Sequence, residues 1–248
     1  MTRQTRRGYK DSDEKEFGAE AFNKLASAGK DICYLMNQGY PVSGASVFVG
    51  NHYMLSERQR MALLRWAAAE DAVNSRKSRE ITDLRDRILH IDGFNILITL
   101  EVILSGSPVF RCLDGTIRDL AGLRGTYHPI DKTITALRLL GEFFEGEGVK
   151  EVIFYLDAPV SNSGRLKVLI QEELEKFSFG TQVFVINEVD KILKTKECVA
   201  TSDSIILDYT TNWVNLNSLV LSGISDLWLV NFLDGDPGEM KQKDITSG

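Results

Sequence analysis

Ile88-Leu89-His90-Ile91-Asp92-Gly93-Phe94-Asn95 reads as a short buried strand that stops on a carboxylate and turns at once into a helix. Two later stretches repeat the form. Val152-Ile153-Phe154-Tyr155-Leu156 runs into Asp157, and Cys198-Val199-Ala200-Thr201-Ser202 runs into Asp203. Short apolar runs alternating with helical patterns predict a parallel sheet with helices on both faces. The carboxyl ends of parallel strands share one edge, and open α/β sheets bind ligands there. Three carboxylates on that edge raise each other's pKa, and a hard divalent cation held by oxygen relieves the repulsion. The pattern predicts an α/β protein that performs Mg²⁺- or Mn²⁺-dependent phosphate chemistry.

Outward from these runs, strands are expected over roughly 87–91, 150–156, 182–187, 197–202 and 226–231, and helices over 95–105, 131–145 and 162–177, with a shorter one after Asp203. Residues 106–130 hold Gly106, Gly115, Gly122 and Gly125, which break any helix. From Phe17 to about residue 80 the pattern is helical throughout. Apolar positions from Phe17 to Gln38 recur at helical spacing and end at Gly39-Tyr40-Pro41. A second helix is expected from Ser43 to Tyr53. Ser56-Glu57-Arg58-Gln59 is a capping box opening a third, which carries Met61, Leu64 and Trp66 and fades at Asn74-Ser75. The expected division is a disordered tail over 1–16, a helical domain over 17–82, an α/β domain over 83–234 and a flexible tail over 235–248.

The 248 residues are 43% hydrophobic and 26% charged, which is ordinary for a soluble globular chain. No apolar stretch reaches the roughly 18 residues that span a bilayer, so cytoplasm is the expected compartment and no membrane partner is expected. Cys33, Cys112 and Cys198 lack metal-ligand or redox spacing and are expected as small buried side chains. Net charge is −6, with 13 basic against 10 acidic residues over 1–80 and 16 against 25 over 81–248. An acidic body argues against broad non-specific nucleic-acid affinity. Two basic clusters remain: Arg3, Arg6, Arg7 and Lys10, then Arg76, Lys77 and Arg79.

Each candidate group has a bland reading beside the chemical one. Asp92-Gly93-Phe94-Asn95 is also an ordinary strand-to-helix turn, in which Gly93 allows a sharp bend and Asn95 holds a ligand oxygen or opens the helix. Ser202 or Asp203 caps the helix that follows, while Ser202 and Ser204 suit a water or phosphate and Asp208 lies five residues on. After Asp157, a loop of small polar residues leads to Arg165 and Lys167, which suit a phosphate. A fourth carboxylate is open between Asp114 and Asp119, with Arg118 either a substrate contact or an ion-pair fastener. Glu101, inside an apolar helix, needs a partner and ranks behind Asp119. His52, His90 and His128 show no ligand spacing, and neither a Gly-x-Gly-x-x-Gly nor a Walker motif occurs.

Asp-Gly-Phe-Asn after the first strand, an aspartate after the second and Thr201-Ser202-Asp203-Ser204 after the fourth resemble the PIN-like nuclease superfamily, particularly its NYN branch. The resemblance covers roughly residues 86–232. It implies a three-layer fold around a parallel sheet of about five strands in the order 3-2-1-4-5, with clustered acids that bind Mg²⁺ or Mn²⁺ and cut RNA. Asp92 and Asp203 match the family's acids best, and Asp157 matches the second-strand acid of the NYN branch. RNA, or another single-stranded nucleic acid, is then the expected substrate, and homo-oligomer formation is left open. The start, with Leu35-Met36-Asn37-Gln38-Gly39-Tyr40-Pro41 and Phe48-Val49-Gly50-Asn51-His52-Tyr53-Met54-Leu55, resembles the N-terminal half of uncharacterised archaeal two-domain proteins. Two alternatives stand beside the nuclease. One is an inactive PIN-like module for RNA binding or assembly. The other is a haloacid-dehalogenase-like phosphatase built on Asp114-Gly115-Thr116 and on Ser202-Asp203-Ser204 with Asp208, in which Cys112 sits where that chemistry requires an aspartate.

Overall fold

The computed structural model describes residues 5–122, 125–222, 224 and 227–232. Five helices come first: α1 (Asp13–Phe17), α2 (Ala19–Asn37), α3 (Val42–His52), α4 (Glu57–Trp66) and α5 (Glu70–Lys77). The α/β part then runs β1 (Ile88–Asp92), α6 (Gly93–Leu104), β2 (Val109–Arg111), β3 (Ile117–Arg118), α7 (Asp131–Gly146), β4 (Glu151–Asp157), α8 (Ser163–Leu174), β5 (Gly180–Ile186), α9 (Val189–Leu193), β6 (Val199–Ala200), α10 (Ser204–Leu207), β7 (Trp213–Val214), α11 (Leu216–Leu221) and β8 (Leu229–Val230). No helix among the described residues is long and apolar enough to cross a membrane.

The main sheet is five-stranded and parallel, in the order β5-β4-β1-β6-β7. Its first four positions follow the expected order, but the fifth does not. The edge next to β6 is the two-residue β7, whereas the run expected at 226–231 yields β8, which joins a second sheet in the order β3-β2-β8. β1 lies between β4 and β6, and its Leu89 and Ile91 are fully buried. α6 is buried nearly all round, from Phe94 and Ile96 through Val102 and Ile103, as a helix packed on several sides must be. The glycine-rich stretch 106–122 forms the β2–β3 hairpin, with Gly115 at φ +86° in its turn.

The capping box on α4 forms as expected, with the Ser56 hydroxyl accepting from the Gln59 amide at 3.1 Å. The single helix expected beyond it is two. Ala67-Ala68-Ala69 is extended, although alanine favours helix, because α5 has to turn so that Arg76 reaches the α/β part. Arg76 is buried and meets Asp114 at 2.8 Å. The segment after α5 is stitched to β7. The Trp213 amide donates to the Arg79 carbonyl at 3.1 Å, the Ile81 amide donates to the Trp213 carbonyl at 2.9 Å, and the Trp213 indole donates to the Arg76 carbonyl at 2.7 Å.

Two large cores result. One fills the α/β layers around β1, α6 and β4. The other joins Phe17, Phe22, Leu25, Leu63 and Trp66 of the helices to Phe110, Trp228, Val230 and Phe232 beneath the small sheet. The helical part is therefore packed on the α/β part through a shared apolar interior.

The start of the chain corrects an expectation. Residues 5–16 are mostly exposed but tied down at Arg6, Arg7 and Asp13, because buried carboxylates need partners. Asp13 is fully buried and forks with Arg58. Arg7 Nε lies 2.7 Å from Glu101 Oε2, and Arg6 Nη2 donates to the Gly106 carbonyl at 2.7 Å. Arg6 and Arg7 thus fasten the chain instead of facing a phosphate. Arg3 and the tail expected beyond Asp234 lie outside the described residues.

Candidate active site

The carboxyl ends of β1, β4 and β6 meet over a cavity of about 200 Å³ lined by Asp92, Asp119, Asp157, Asp190 and Asp203, with Asn95, Phe94, Ile98, Gly122 and Arg65. Asp92 and Asp157 end neighbouring parallel strands; the register sets Asp92 opposite Tyr155, so Asp157 follows two residues further along β4, at the same edge of the sheet. Gly93 turns the chain with an ordinary φ and is needed for closeness. A Cβ there would stand 3.0 Å from the Tyr155 carbonyl oxygen and 2.5 Å from Leu156 Cδ2. Asp203 follows β6 and caps α10, its carboxylate accepting from the Ile205 amide at 2.8 Å. The Thr201 hydroxyl donates to Asp92 at 2.8 Å and accepts from the Asp203 amide at 3.1 Å, tying the two acids to one side chain.

Asp119, one of the two candidates for a fourth carboxylate, arrives from the end of β3. It accepts from the Thr99 hydroxyl on α6 and from the Ala121 amide, both at 2.7 Å. Asp190 was not anticipated. It sits in α9, three residues after the β5 run has stopped on Asn187, and the position of β5 beside β4 brings it to the cavity. Asn95 lines the site and accepts from both the Ser202 amide, at 2.8 Å, and the Ser202 hydroxyl, at 2.9 Å.

Several expected residues are elsewhere. Asp114 is fully buried between two guanidiniums, with Arg76 Nη1 at 2.8 Å and Arg118 Nη2 at 2.7 Å. Burial pushes its carboxyl up, but Arg118, Thr116 and Arg76 together hold it below the usual range. It is placed as a fastener, with Arg76 and Arg118 as the other half of it, and lies outside the acid-lined cavity. Asp208 pairs with Arg76 at 2.7 Å and lies outside the acid-lined cavity. Arg165 and Lys167, on α8, line neither that cavity nor its neighbour. Ser204 and Ser202 line the neighbouring cavity. Glu101 points away to Arg7 and accepts from the Tyr127 hydroxyl at 2.7 Å and from Thr133.

The five acids make an electrostatic problem. Among the described residues none of them forms an ion pair, although Lys194 is near enough to ease the charge on Asp190. Burial pushes Asp92 up to about 7, against the pull of the Thr201 hydroxyl, and the charges of Asp203, Asp190 and Asp157 push the same way. Asp157 is raised by burial and by Asp190, and Asp190 by burial and by Asp203. A set of carboxylate oxygens with unrelieved charge fits a hard divalent cation by its donor chemistry. Among the described residues, however, no three His, Cys, Asp or Glu side chains stand ready as a closed cage. An ion here would draw the acids inward.

Two family models match. Residues 81–219 match the Domain of unknown function (DUF5616), and residues 24–79 match the Protein of unknown function (DUF434). All five aspartates fall in the first stretch and Arg65 in the second. The Uncharacterized protein MJ0935 of Methanocaldococcus jannaschii is 38% identical over 185 residues, which cover 74% of this chain and 88% of that protein. No solved structure matches. With a family model spanning more than half of its length, the chain belongs to the family described as Domain of unknown function (DUF5616), carried behind a DUF434 segment.

Proposed function

We propose that this protein is a Mg²⁺- or Mn²⁺-dependent phosphodiesterase of PIN-like type acting on RNA. One observation carries the reading: five carboxylates from five segments line one cavity at the carboxyl edge of a parallel sheet. The strand order over β5-β4-β1-β6 supports it, because that is the order the PIN-like resemblance implies. Asp92, Asp157 and Asp203 are the acids we assign to the chemistry, and Asp119 and Asp190 complete the donor set. A bound divalent ion supplies charge compensation and Lewis acidity for attack by water on a phosphodiester.

The chain's own groups do the rest. Thr201 holds Asp92 and Asp203 in fixed relation, and the capped start of α10 keeps Asp203 from swinging out. Thr99 and the Ala121 amide hold Asp119 in the cavity wall. Asn95, fixed by Ser202, presents a polar edge beside the acids. The phosphatase reading loses support, because Asp114 is locked between arginines and Cys112 is buried.

Titration calorimetry with Mn²⁺, paired with cleavage of end-labelled single-stranded RNA, tests the proposal. Wild type should bind Mn²⁺ and cut, and Asp92→Asn and Asp203→Asn should each remove cutting while still unfolding in one cooperative transition. Full activity in either variant would refute the assignment. The lack of a ready cage favours a second reading, an RNA-binding or assembly module without an ion, and wild type that binds no Mn²⁺ would select it.

A further inference from the structure

Beside the acid-lined cavity lies a second one, of about 370 Å³, between the α4–α5 corner and the α/β part. The two share Arg65, Asn95 and Asp203 in their walls. We infer that this second cavity is a subsite for one nucleotide unit of a single strand, its base against the helical wall and its phosphate on Arg65. The inference rests on the phosphodiesterase reading and names its substrate form.

The wall supplied by the helical part is apolar, with Met36, Val42, Leu64, Ala68 and Ala72. The extended Ala67-Ala68-Ala69 stretch carries only methyl groups, so the corner leaves a space where larger side chains would fill it. The opposite wall is polar, with Ser202, Ser204 and Asn95. An apolar face opposite hydrogen-bonding groups suits a nucleobase, which presents a flat face and a polar edge. The space is of the size that takes one small-molecule unit, far too small for a duplex.

Charge selects the ligand further. Three arginines line the cavity, and two are committed. Arg76 meets Asp114 and Asp208, and Arg118 meets Asp114, the Ser202 carbonyl and the Arg65 carbonyl. Arg65 is exposed, and its guanidinium has no hydrogen-bond or ion-pair partner among the described residues. It stands at the junction of the two cavities, where a phosphate between two consecutive units of a strand would lie. A guanidinium fork matches phosphate oxygens and offsets the repulsion the acids exert on an anionic strand. The helical part thereby becomes a wall of the substrate channel.

The test is ligand-observed NMR on the full chain in EDTA, with the four ribonucleoside 5′-monophosphates, the matching ribonucleosides and inorganic phosphate as probes. At least one monophosphate should bind about tenfold tighter than either its nucleoside or phosphate, Arg65→Gln should weaken it about tenfold, and Ala72→Trp should abolish it. Arg65 is exposed, so its replacement leaves the fold intact and keeps the test decisive even where Ala72→Trp unfolds. Monophosphates that bind no better than inorganic phosphate, or that bind Arg65→Gln as they bind wild type, would overturn the inference. With Mn²⁺ and single-stranded RNA, Arg65→Gln should raise KM about tenfold and leave kcat within about twofold. An unchanged KM would overturn the role of Arg65. A chain that cuts no RNA would sink the phosphodiesterase reading, while the titration in EDTA still judges the subsite.

Discussion

Replacing Asp92 by asparagine should make the metal-free protein more stable, with a sign and pH dependence set by the site. Asp92 is 8% exposed and surrounded by acids, and its carboxyl is pushed from 3.8 up to about 7. Between those values the folded chain holds a proton that the unfolded chain has lost, so stability falls as pH rises through the window. The loss is complete above about 7. At roughly 1.4 kcal/mol per unit, a shift of roughly three units removes at most about 4 kcal/mol. Asparagine carries no charge and its amide oxygen still accepts from Thr201, so the variant avoids the loss. Urea unfolding in EDTA should show Asp92→Asn ahead of wild type by up to about 4 kcal/mol near pH 8, by roughly 1.5 near pH 5 and by nothing below about pH 4. Saturating Mn²⁺ should raise wild type and not the variant. A variant no more stable than wild type near pH 8, or one with the same advantage at every pH, would refute the reasoning.

Other outcomes follow from the same geometry. Mn²⁺ affinity should weaken as pH falls below about 7, by up to tenfold per unit, because Asp92 must give up its proton to bind; calorimetry in two buffers of different ionisation heat should record proton release. Arg7→Ala strips Glu101 of the charge it meets at 2.7 Å and should cost about 3–5 kcal/mol in urea unfolding, most of it restored by adding Glu101→Gln. Equal losses in the single and double variants would mean that the ion pair is not what matters. Gly93→Ala places a methyl 3.0 Å from the Tyr155 carbonyl oxygen, and should cost about 1–3 kcal/mol of stability together with Mn²⁺ binding. An unperturbed melting temperature would show that β1 and β4 have room to part.

Asp92, Asp157 and Asp203 were legible because each ends an apolar run, and parallel pairing carries run ends to one edge. Asp119 was visible only as one of two choices. Sequence did not separate it from Asp114, since the difference lies in where two guanidiniums converge: Arg118 and Arg76, the latter 38 positions upstream, both meet Asp114 and not Asp119. Asp190 was missed because it follows the end of its strand by a turn and looks like a surface helix residue. The expected strand order itself held the clue, since it put the third strand beside the second. Arg65 gave no local sign at all, lying in a different part of the chain. The edge strand β7 was passed over because two residues make no periodicity, while the stronger run at 226–231 serves the other sheet. Alanine propensity at 67–69 lost to the tertiary demand for Arg76.

The seam between the two family segments falls at residue 80, where the chain is threaded along β7 through Trp213 and where Glu80 itself pairs with that tryptophan. A joint made this way does not swing. The gap between Arg65 and the acids is accordingly a slot of set width, gauged by the aromatic interlock of Trp66 with Phe232 and of Phe17 with Phe110. A gene cut at the family boundary would bare both faces of that interlock, so the halves should express as aggregates rather than as working modules. On the proposed reading, selection of strands over duplexes would be a matter of caliper rather than closure.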